Sequence, residues 1–287
     1  MRWVEGYGIV SRNAKGEAVR LIGVNRDITA RMQAEEALRT LNTELERRVE
    51  ERTAEIKAIN KELEAFTYTV SHDLRAPLRA MHGMSQALIE DYADVLPPEG
   101  VEFAQRIEAA AQRMDRLIQD LLAFSRVGRK DMRPRPVSLH EAVEAVLSTL
   151  SPMFEEVGAD VAIEGTLPTV IAHPSTLDQV ITNLVDNACK FVEKSTAPRV
   201  RLSAETRGSR VRLWVADNGI GIEPKHQERI FRIFERLHGI ETYPGTGVGL
   251  ALIKKAMQHM GGDVGVESEP GKGSRFWIDL PAVSDGE

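Results

Sequence analysis

The spacing of apolar residues changes along the chain, and the first spacing predicts two β-strands. Residues 3–10 and 18–24 are rich in β-branched and aromatic side chains, and the polar segment between them, SRNAKG, is typical of a turn. The sequence therefore predicts a β-hairpin over residues 1–28. Two strands alone are only marginally stable in water, so we expect this hairpin to be the end of something larger.

A long, heavily charged helix is predicted from residue 29, where Thr29 suits an N-cap. One seam of this helix is apolar: Leu38, Leu41, Leu45, Val49, Ile56, Ile59, Leu63 and Phe66. The spacing predicts a coiled coil over residues 29–65. It contains one stutter, because Leu45 and Ile56 are eleven residues apart. The alternative is a single solvated helix that packs on its own domain.

A helical hairpin is predicted over residues 66–127. Its first helix has one stripe at spacings of mostly four and three: Phe66, Val70, Leu74, Leu78, Met81, Ser85 and Leu88. After a break at residues 91–100, the second helix carries Ile107, Ala111, Met114, Leu117, Ile118, Leu121, Leu122 and Phe124. A single hairpin buries only half of such stripes. We therefore expect two copies of the chain to form a homodimer through residues 29–127, with a four-helix bundle at its centre.

Helices and strands alternate over residues 137–283, after a basic linker at residues 128–136 and before a short tail at 284–287. The pattern predicts helices at 139–154, 175–192 and 248–260. It predicts strands at 161–163, 170–172, 199–206, 210–216, 263–267 and 274–280. This order favours an α/β sandwich, in which helices cover one face of a sheet. The predicted fold class is thus multidomain: a coiled coil, a helical hairpin and an α/β sandwich.

Composition excludes several classes of protein. The net charge is −6, so no basic face predicts binding to nucleic acid. A single cysteine, Cys189, excludes a disulfide framework and a cysteine-rich metal site. No apolar run approaches the ~18 residues of a membrane span, and the first residues do not resemble a signal peptide. We expect a cytoplasmic protein with no membrane span in this chain.

One histidine of the first hairpin helix is a candidate nucleophile. Residues 71–78 have the sequence SHDLRAPL, and His72 lies about 200° around the helix from Val70, away from the apolar stripe. Pro77 removes an N–H that would bond the carbonyl of Asp73, which we expect to loosen the helix there. The carboxylate of Asp73 can hold one ring nitrogen protonated and free the other to attack. A surface histidine without a role is the alternative.

A helix in the α/β region carries the first cluster that suits phosphate chemistry. Residues 183–191 have the sequence NLVDNACKF, and Asn183, Asn187 and Lys190 lie on one line of the helix. An amide oxygen is a suitable ligand for Mg²⁺, and an ammonium group balances phosphate charge. On its own, this line could also be an ordinary polar helix edge.

Two glycine-rich segments follow. Residues 217–222, DNGIGI, close a strand, where the carboxylate of Asp217 can accept a hydrogen bond from an exocyclic amine and glycines let the backbone approach a flat ligand. Taken alone, this segment could also be a simple turn. Residues 245–250, GTGVGL, open a helix and offer backbone N–H groups to phosphates.

In this order the three clusters resemble the N, G1 and G2 boxes of the ATP-binding domain of sensor histidine kinases of two-component systems. Residues 230–236, IFRIFER, are similar to the F box, and residues 71–78 are similar to the H box. The resemblance implies a dimerisation and phosphotransfer domain at residues 66–127. It also implies a Bergerat-type ATP-binding domain at 137–283. Residues 16–29 resemble the C-terminal hairpin and exit of a PAS sensor domain, which makes 1–28 the end of a truncated PAS-like domain and 29–65 a signalling coiled coil.

The resemblance also implies the reaction, in which ATP phosphorylates His72 and the phosphoryl group passes to an aspartate in the receiver domain of a response regulator. Asp73 would orient His72, Asn187 would bind Mg²⁺, and Asp217 would bind the adenine amino group. The glycines near residue 247 would shape a mobile lid, otherwise unstructured, from about residue 219 to 246. The residues implied to bind ATP are Asn183, Asn187, Lys190, Asp217, Gly219, Gly221, Gly245, Thr246, Gly247 and Gly249.

Two other functions remain at this point. One is a dimeric scaffold that holds nucleotide without catalysis, and the other is an ATPase clamp of the gyrase or chaperone type, which shares the ATP-binding fold. The presence of His72, Asp73, Asn187 and Asp217 weighs against a scaffold. A histidine motif on a dimerising hairpin weighs against a clamp.

Overall fold

The computed structural model of the chain describes residues 2–127, 134–193, 195–237, 239, 243 and 245–283. Residues 128–133 of the predicted linker, and the tail at 284–287, lie outside the described residues. The chain divides into two compact units, Met1–Ala65 and Phe66–Glu287.

The first unit begins with the hairpin that the sequence predicts. Strands β1 (Val4–Arg12) and β2 (Ala18–Asp27) pair antiparallel, with Tyr7 opposite Val24. Both strands are longer than predicted. Their side chains are exposed on both faces, including those of Ile9 and Leu21.

Helix α1 (Thr29–Tyr92) follows directly and runs unbroken through Pro77. The prediction that Thr29 caps the helix is wrong, because Thr29 is its first residue. The hydroxyl of Thr29 accepts a hydrogen bond from the backbone N–H of Trp3 at 2.8 Å, and the carbonyl of Ile28 accepts from the N–H of Met32. The hydroxyl of Thr29 thus contacts the hairpin and does not cap the helix.

The hairpin of the second unit pairs residues 66–92 of α1 with helix α2 (Pro98–Arg126). The predicted apolar stripe of α1 divides in two. Ser71, Leu78 and Ser85, seven residues apart, are buried, and Leu78 clusters with Ala111, Ile118 and Leu122 of α2. The other face remains exposed in a single copy of the chain, and it carries Val70, Leu74, Met81 and Leu88.

The rest of the chain is the predicted α/β sandwich. Its elements are β3 (Arg135–Ser138), α3 (Leu139–Val157), β4 (Asp160–Glu164), β5 (Thr169–Ala172), α4 (Pro174–Lys190), β6 (Arg199–Arg207), β7 (Arg210–Asp217), α5 (Gly249–His259), β8 (Asp263–Ser268) and β9 (Ser274–Pro281). Five strands form one sheet in the order β4-β6-β7-β9-β8, with β4 parallel to β6 and the other pairs antiparallel. The remaining two strands, β3 and β5, pair separately.

Each face of the large sheet is covered differently. Leu177, Leu184, Ile253 and Met257, from α4 and α5, are fully buried in the core that covers one face. On the other face, arginines lie over two tryptophans. The guanidinium of Arg212 lies 3.7 Å from the ring centroid of Trp277 and bonds both oxygens of Asp279 at 2.6 Å.

Three predicted boundaries change. Residues 135 and 136 belong to β3 and not to a linker, since a strand with one partner tolerates a proline. Helix α4 ends at Lys190, because the carbonyl of Phe191 accepts a hydrogen bond from the N–H of Ile220 at 2.9 Å instead of continuing the helix. The segment predicted as an unstructured lid contains two short 3₁₀ turns, at Pro224–His226 and Arg229–Phe231.

The burial of α4 predicts a matched pair of effects on stability. Val180 is fully buried, whereas Val157, at the end of α3, is 43% exposed. Val180→Ala removes buried methyl groups and leaves a cavity, so it should lower the free energy of unfolding by about 1.5–3 kcal/mol. Val157→Ala should change it by less than about 0.5 kcal/mol. Urea denaturation monitored by tryptophan fluorescence measures both, and equal losses would contradict the described packing.

Candidate functional site

A cavity of about 800 Å³ opens beside α4. Its walls come from the polar edge of α4, the end of β7, the start of α5 and one side of α2. Apart from Gly219, every residue predicted to bind ATP lines this cavity: Asn183, Asn187, Lys190, Asp217, Gly221, Gly245, Thr246, Gly247 and Gly249. The fold thus brings three separate sequence clusters to one place.

The edge of α4 presents amides and one ion pair to the cavity. The side-chain N–H of Asn183 donates to the carbonyl of Gln179 at 2.9 Å, which leaves its amide oxygen directed toward Gly249. The ammonium of Lys190 pairs with the carboxylate of Asp186 at 2.8 Å. Asp186 lines the cavity but was not predicted as a site residue, although its i, i+4 spacing from Lys190 could have indicated the pair.

Asp217 is held at the end of β7 with one oxygen occupied. Its Oδ1 accepts hydrogen bonds from the backbone N–H groups of Gly219 at 2.8 Å and Ser274 at 2.9 Å. No described residue donates to its Oδ2, which leaves that atom for a ligand. Burial raises the pKa of Asp217 to about 6, although the two N–H donors act in the opposite direction.

The two glycines after Asp217 are required by the protein's own backbone. A Cβ on Gly219 would collide with the carbonyl oxygen of Phe191, and Gly219 is buried away from the cavity lining. Gly221 has φ +72°, and its Cβ would collide with the carbonyl of Glu269. The predicted approach of glycine backbone to a flat ligand is therefore available at Gly221 and not at Gly219.

The second glycine-rich segment leads into α5 at the edge of the cavity. Gly247 has φ +74°, and its carbonyl accepts the N–H of Phe234 at 2.9 Å. Arg236 donates to the carbonyls of Tyr243, at 2.8 Å, and Gly245. The first turn of α5 has no side-chain cap, so its N–H groups and positive dipole end are available to an anion.

Helix α2 forms a wall of the cavity that no local sequence pattern indicated. The hydroxyl of Thr246 donates to the carboxylate of Asp120. The ammonium of Lys255 donates to the carbonyl of Phe124 at 2.8 Å and lies 4.4 Å from that ring's centroid. These contacts join residues more than a hundred positions apart, so only the tertiary structure could show them.

The candidate nucleophile lies apart from the cavity. His72 and Asp73 have side chains that are 72% and 71% exposed, and neither lines the cavity. The Nδ1 atom of His72 lies 3.2 Å from Oδ1 of Asp73. A proton on Nδ1 would therefore be shared with the carboxylate, and Nε2 would be the nitrogen free to attack.

Every helix among the described residues is too short or too polar to span a membrane.

Two families match the chain. Residues 62–130 match the family described as the His Kinase A (phospho-acceptor) domain. Residues 172–284 match the family described as histidine kinase-, DNA gyrase B-, and HSP90-like ATPase. The second match covers α4, β7 and α5 at the cavity, and the first covers α2 and the part of α1 that carries His72.

Curated relatives match over most of this chain. It is 39% identical over 253 residues to cyanobacterial phytochrome B of Nostoc sp., covering 88% of this chain and 32% of the relative. It is 34% identical over 234 residues to the methanogenesis regulatory histidine kinase FilI of Methanothrix harundinacea, covering 81% and 26%. The chain thus spans no more than about a third of the length of these relatives. The solved structure of full-length ShkA in complex with AMPPNP is similar, with a TM-score of 0.58 and 32% identity over 77% of this chain and 46% of that one.

The environment of Asp217 predicts a pH dependence that can be measured with adenosine, which has no phosphate to titrate. Only the ionised carboxylate is a full acceptor for the adenine amino group, and its pKa is about 6. Adenosine affinity should therefore fall as the pH is lowered from about 8 to about 5, with a midpoint near the pKa of Asp217. The Asp217→Asn variant should bind adenosine more weakly, and its affinity should show no such midpoint. Calorimetric titrations that give the same midpoint for both proteins would exclude Asp217 as the acceptor.

Proposed function

We propose that this chain, in which residues 62–130 and 172–284 match two domain families of histidine kinases, phosphorylates His72 from ATP and passes the phosphoryl group to an aspartate of a response regulator. One observation carries the proposal: a cavity lined by the half-buried carboxylate of Asp217 and by a helix N-terminus occurs in the same unit as an exposed His72–Asp73 pair.

The proposed first step is an in-line displacement at the γ-phosphorus of ATP. Nε2 of His72 supplies the electron pair for the new N–P bond, while the bond from the γ-phosphorus to the bridging oxygen breaks and ADP leaves with its electrons. The ring would gain positive charge as the N–P bond forms. Asp73, at 3.2 Å from Nδ1, is placed to accept the Nδ1 proton.

In the proposed nucleotide site, Asp217 binds the adenine amino group, while the N-terminus of α5 and Lys190 face the phosphate chain. Lys190 would have to exchange its ion pair with Asp186 for phosphate oxygens. We also propose Mg²⁺ as the cofactor that neutralises phosphate charge. The donor set fits this ion, since the amide oxygens of Asn183 and Asn187 are hard ligands at the cavity wall. Asn187 is its proposed ligand.

The partners and domains are proposals as well. We propose that a second copy covers the apolar residues that stay exposed on α1, among them Leu38, Leu45 and Phe66, to form a homodimer through residues 29–127. The receiver domain of a response regulator is the second proposed partner. We further propose that residues 1–28 end a PAS-like domain and that residues 29–65 transmit its signal. A cytoplasmic location stays a prediction.

Replacing the nucleophile tests the proposed activity. His72→Gln should abolish incorporation of label from γ-labelled ATP and leave nucleotide affinity within about twofold, because His72 does not line the cavity. His140→Gln, at a half-exposed histidine of α3, is the matched control and should label normally. The label in the wild type should be acid-labile and stable to base, as an N–P bond is. Labelling that persists in His72→Gln would reject the assignment, and no labelling of the wild type would favour a nucleotide-binding scaffold.

The proposed roles of Asn187 and Asp217 predict different losses. Asn187→Ala should weaken ATP binding in the presence of Mg²⁺ and should change adenosine binding little. Asp217→Ala should weaken every adenine nucleotide by about 1–3 kcal/mol, the range for a lost hydrogen bond in a buried site. Calorimetry with and without Mg²⁺ distinguishes the loss of affinity in Asn187→Ala from that in Asp217→Ala. Equal losses that do not depend on magnesium would contradict the division of roles.

The proposed signalling role of α1 predicts a dependence on helix phase. Deleting seven residues within 47–60 rotates the downstream seam by only about 20°, whereas deleting one or two residues rotates it by about 100° or 200°. The heptad deletion should therefore preserve autophosphorylation better than the shorter deletions. If activity were the same for all three lengths, residues 29–65 would be a passive tether.

A further inference from the structure

Helix α2 has three faces with different surroundings. Ala111, Ile118 and Leu122 are buried toward α1. At about 100° per residue, Ala109, Arg113, Arg116 and Asp120 lie on the opposite side of the helix, and all four line the nucleotide cavity. We name these four residues the cavity stripe. The exposed apolar residues Phe103 and Ile107 lie about 110° and about 150° from the centre of this stripe.

The two arginines of the cavity stripe differ from the other cations of the cavity in their pairing. Lys190 is paired with Asp186, and Arg236 donates to two carbonyls. Among the described residues, no carboxylate forms an ion pair with Arg113 or Arg116; the Nε of Arg116 makes only a long bond, 3.4 Å, to the carbonyl of Gln112. Both arginines therefore bring to the cavity guanidinium groups that form no ion pair with any described residue.

A contact between Asp120 of α2 and the second glycine-rich segment lies about one helical turn from Arg116. Thr246 lies between Gly245 and Gly247 of this segment, and its hydroxyl donates to the carboxylate of Asp120. Arg116 is four residues before Asp120 on the same side of the helix, a rise of about 6 Å, and Arg113 is three residues further. Arg113 and Arg116 thus line the same cavity as Gly245, Thr246 and Gly249 around the start of α5.

We propose that Arg113 and Arg116 of α2 bind the phosphate chain of ATP, so that the helical hairpin supplies part of the nucleotide site. This inference rests on the proposed function and adds ligands from outside the ATP-binding domain. Planar guanidinium groups bind phosphate oxygens with paired hydrogen bonds, and affinity should rise with the number of phosphates. ATP then holds the ATP-binding domain against α2 more strongly than ADP does.

The proposal is compatible with a dimer. Phe103 and Ile107 are exposed on a different face of α2, and a second copy that covered them would leave the cavity stripe facing the cavity. The arginines would then belong to the same copy as the nucleotide that they contact.

The experiment compares nucleotides of different phosphate number on the full chain. Calorimetry with Mg²⁺ measures the dissociation constants of the β,γ-imido analogue of ATP, of ADP and of AMP. The variants are the double substitution Arg113→Gln, Arg116→Gln and the charge-retaining substitution Arg113→Lys, Arg116→Lys. Arg106→Gln is the matched control, since Arg106 is an exposed arginine of the same helix that does not line the cavity. Circular dichroism verifies that each variant keeps its helices.

The double glutamine variant should bind the ATP analogue at least about tenfold more weakly than the wild type does. Its affinity for ADP should fall by a smaller factor, and its affinity for AMP should stay within about twofold of the wild type. The lysine variant should keep most of the preference for the ATP analogue, and Arg106→Gln should match the wild type. Unchanged affinities, or equal losses for all three nucleotides, would overturn the proposal. If the wild type bound none of them, the proposed function itself would fail, and the inference with it.

Discussion

The hydrogen bond from the N–H of Ile220 to the carbonyl of Phe191 is the constraint on which the site depends. It stops α4 at Lys190 and fixes the segment after β7 against the end of that helix. Gly219 is required at this contact, because any larger residue would collide with the same carbonyl. The bond therefore places the carboxylate of Asp217 beside the amides of α4. Without it, the helix edge and the strand end would be two unrelated polar features.

The second main feature of the structure is that His72 lies outside the cavity. For the proposed reaction of His72 with a nucleotide in this cavity, either the ATP-binding domain would have to move or a second copy of the chain would have to supply the histidine. In the described arrangement, α2 closes one side of the cavity through Asp120 and Phe124. Phosphate contacts from α2 would connect nucleotide occupancy to the position of this domain, and hence to how readily it can move toward a histidine.

Much of this could be predicted from the sequence because the signals are local. Helix periodicity indicated α1, α2 and α4, and the line of Asn183, Asn187 and Lys190 along α4 does face the cavity. Features that depend on distant partners could not be predicted in this way. The end of α4 depends on Ile220, the burial of Leu78 depends on α2, and the wall of the cavity depends on the contact between Asp120 and Thr246. Strand β3 was hidden by Pro134 and Pro136, because two prolines so close together indicate a linker unless the pairing strand is known.

The central claim is that ATP phosphorylates His72. The most direct measurement is to incubate the full chain with Mg²⁺ and ATP, digest it at neutral to alkaline pH, and locate the phosphate by fragmentation mass spectrometry. The account predicts a single phosphopeptide from the first hairpin helix, with the phosphoryl group on the imidazole of His72 and its loss after brief treatment with acid. A phosphoryl group on another residue, or unmodified protein after prolonged incubation, would contradict it.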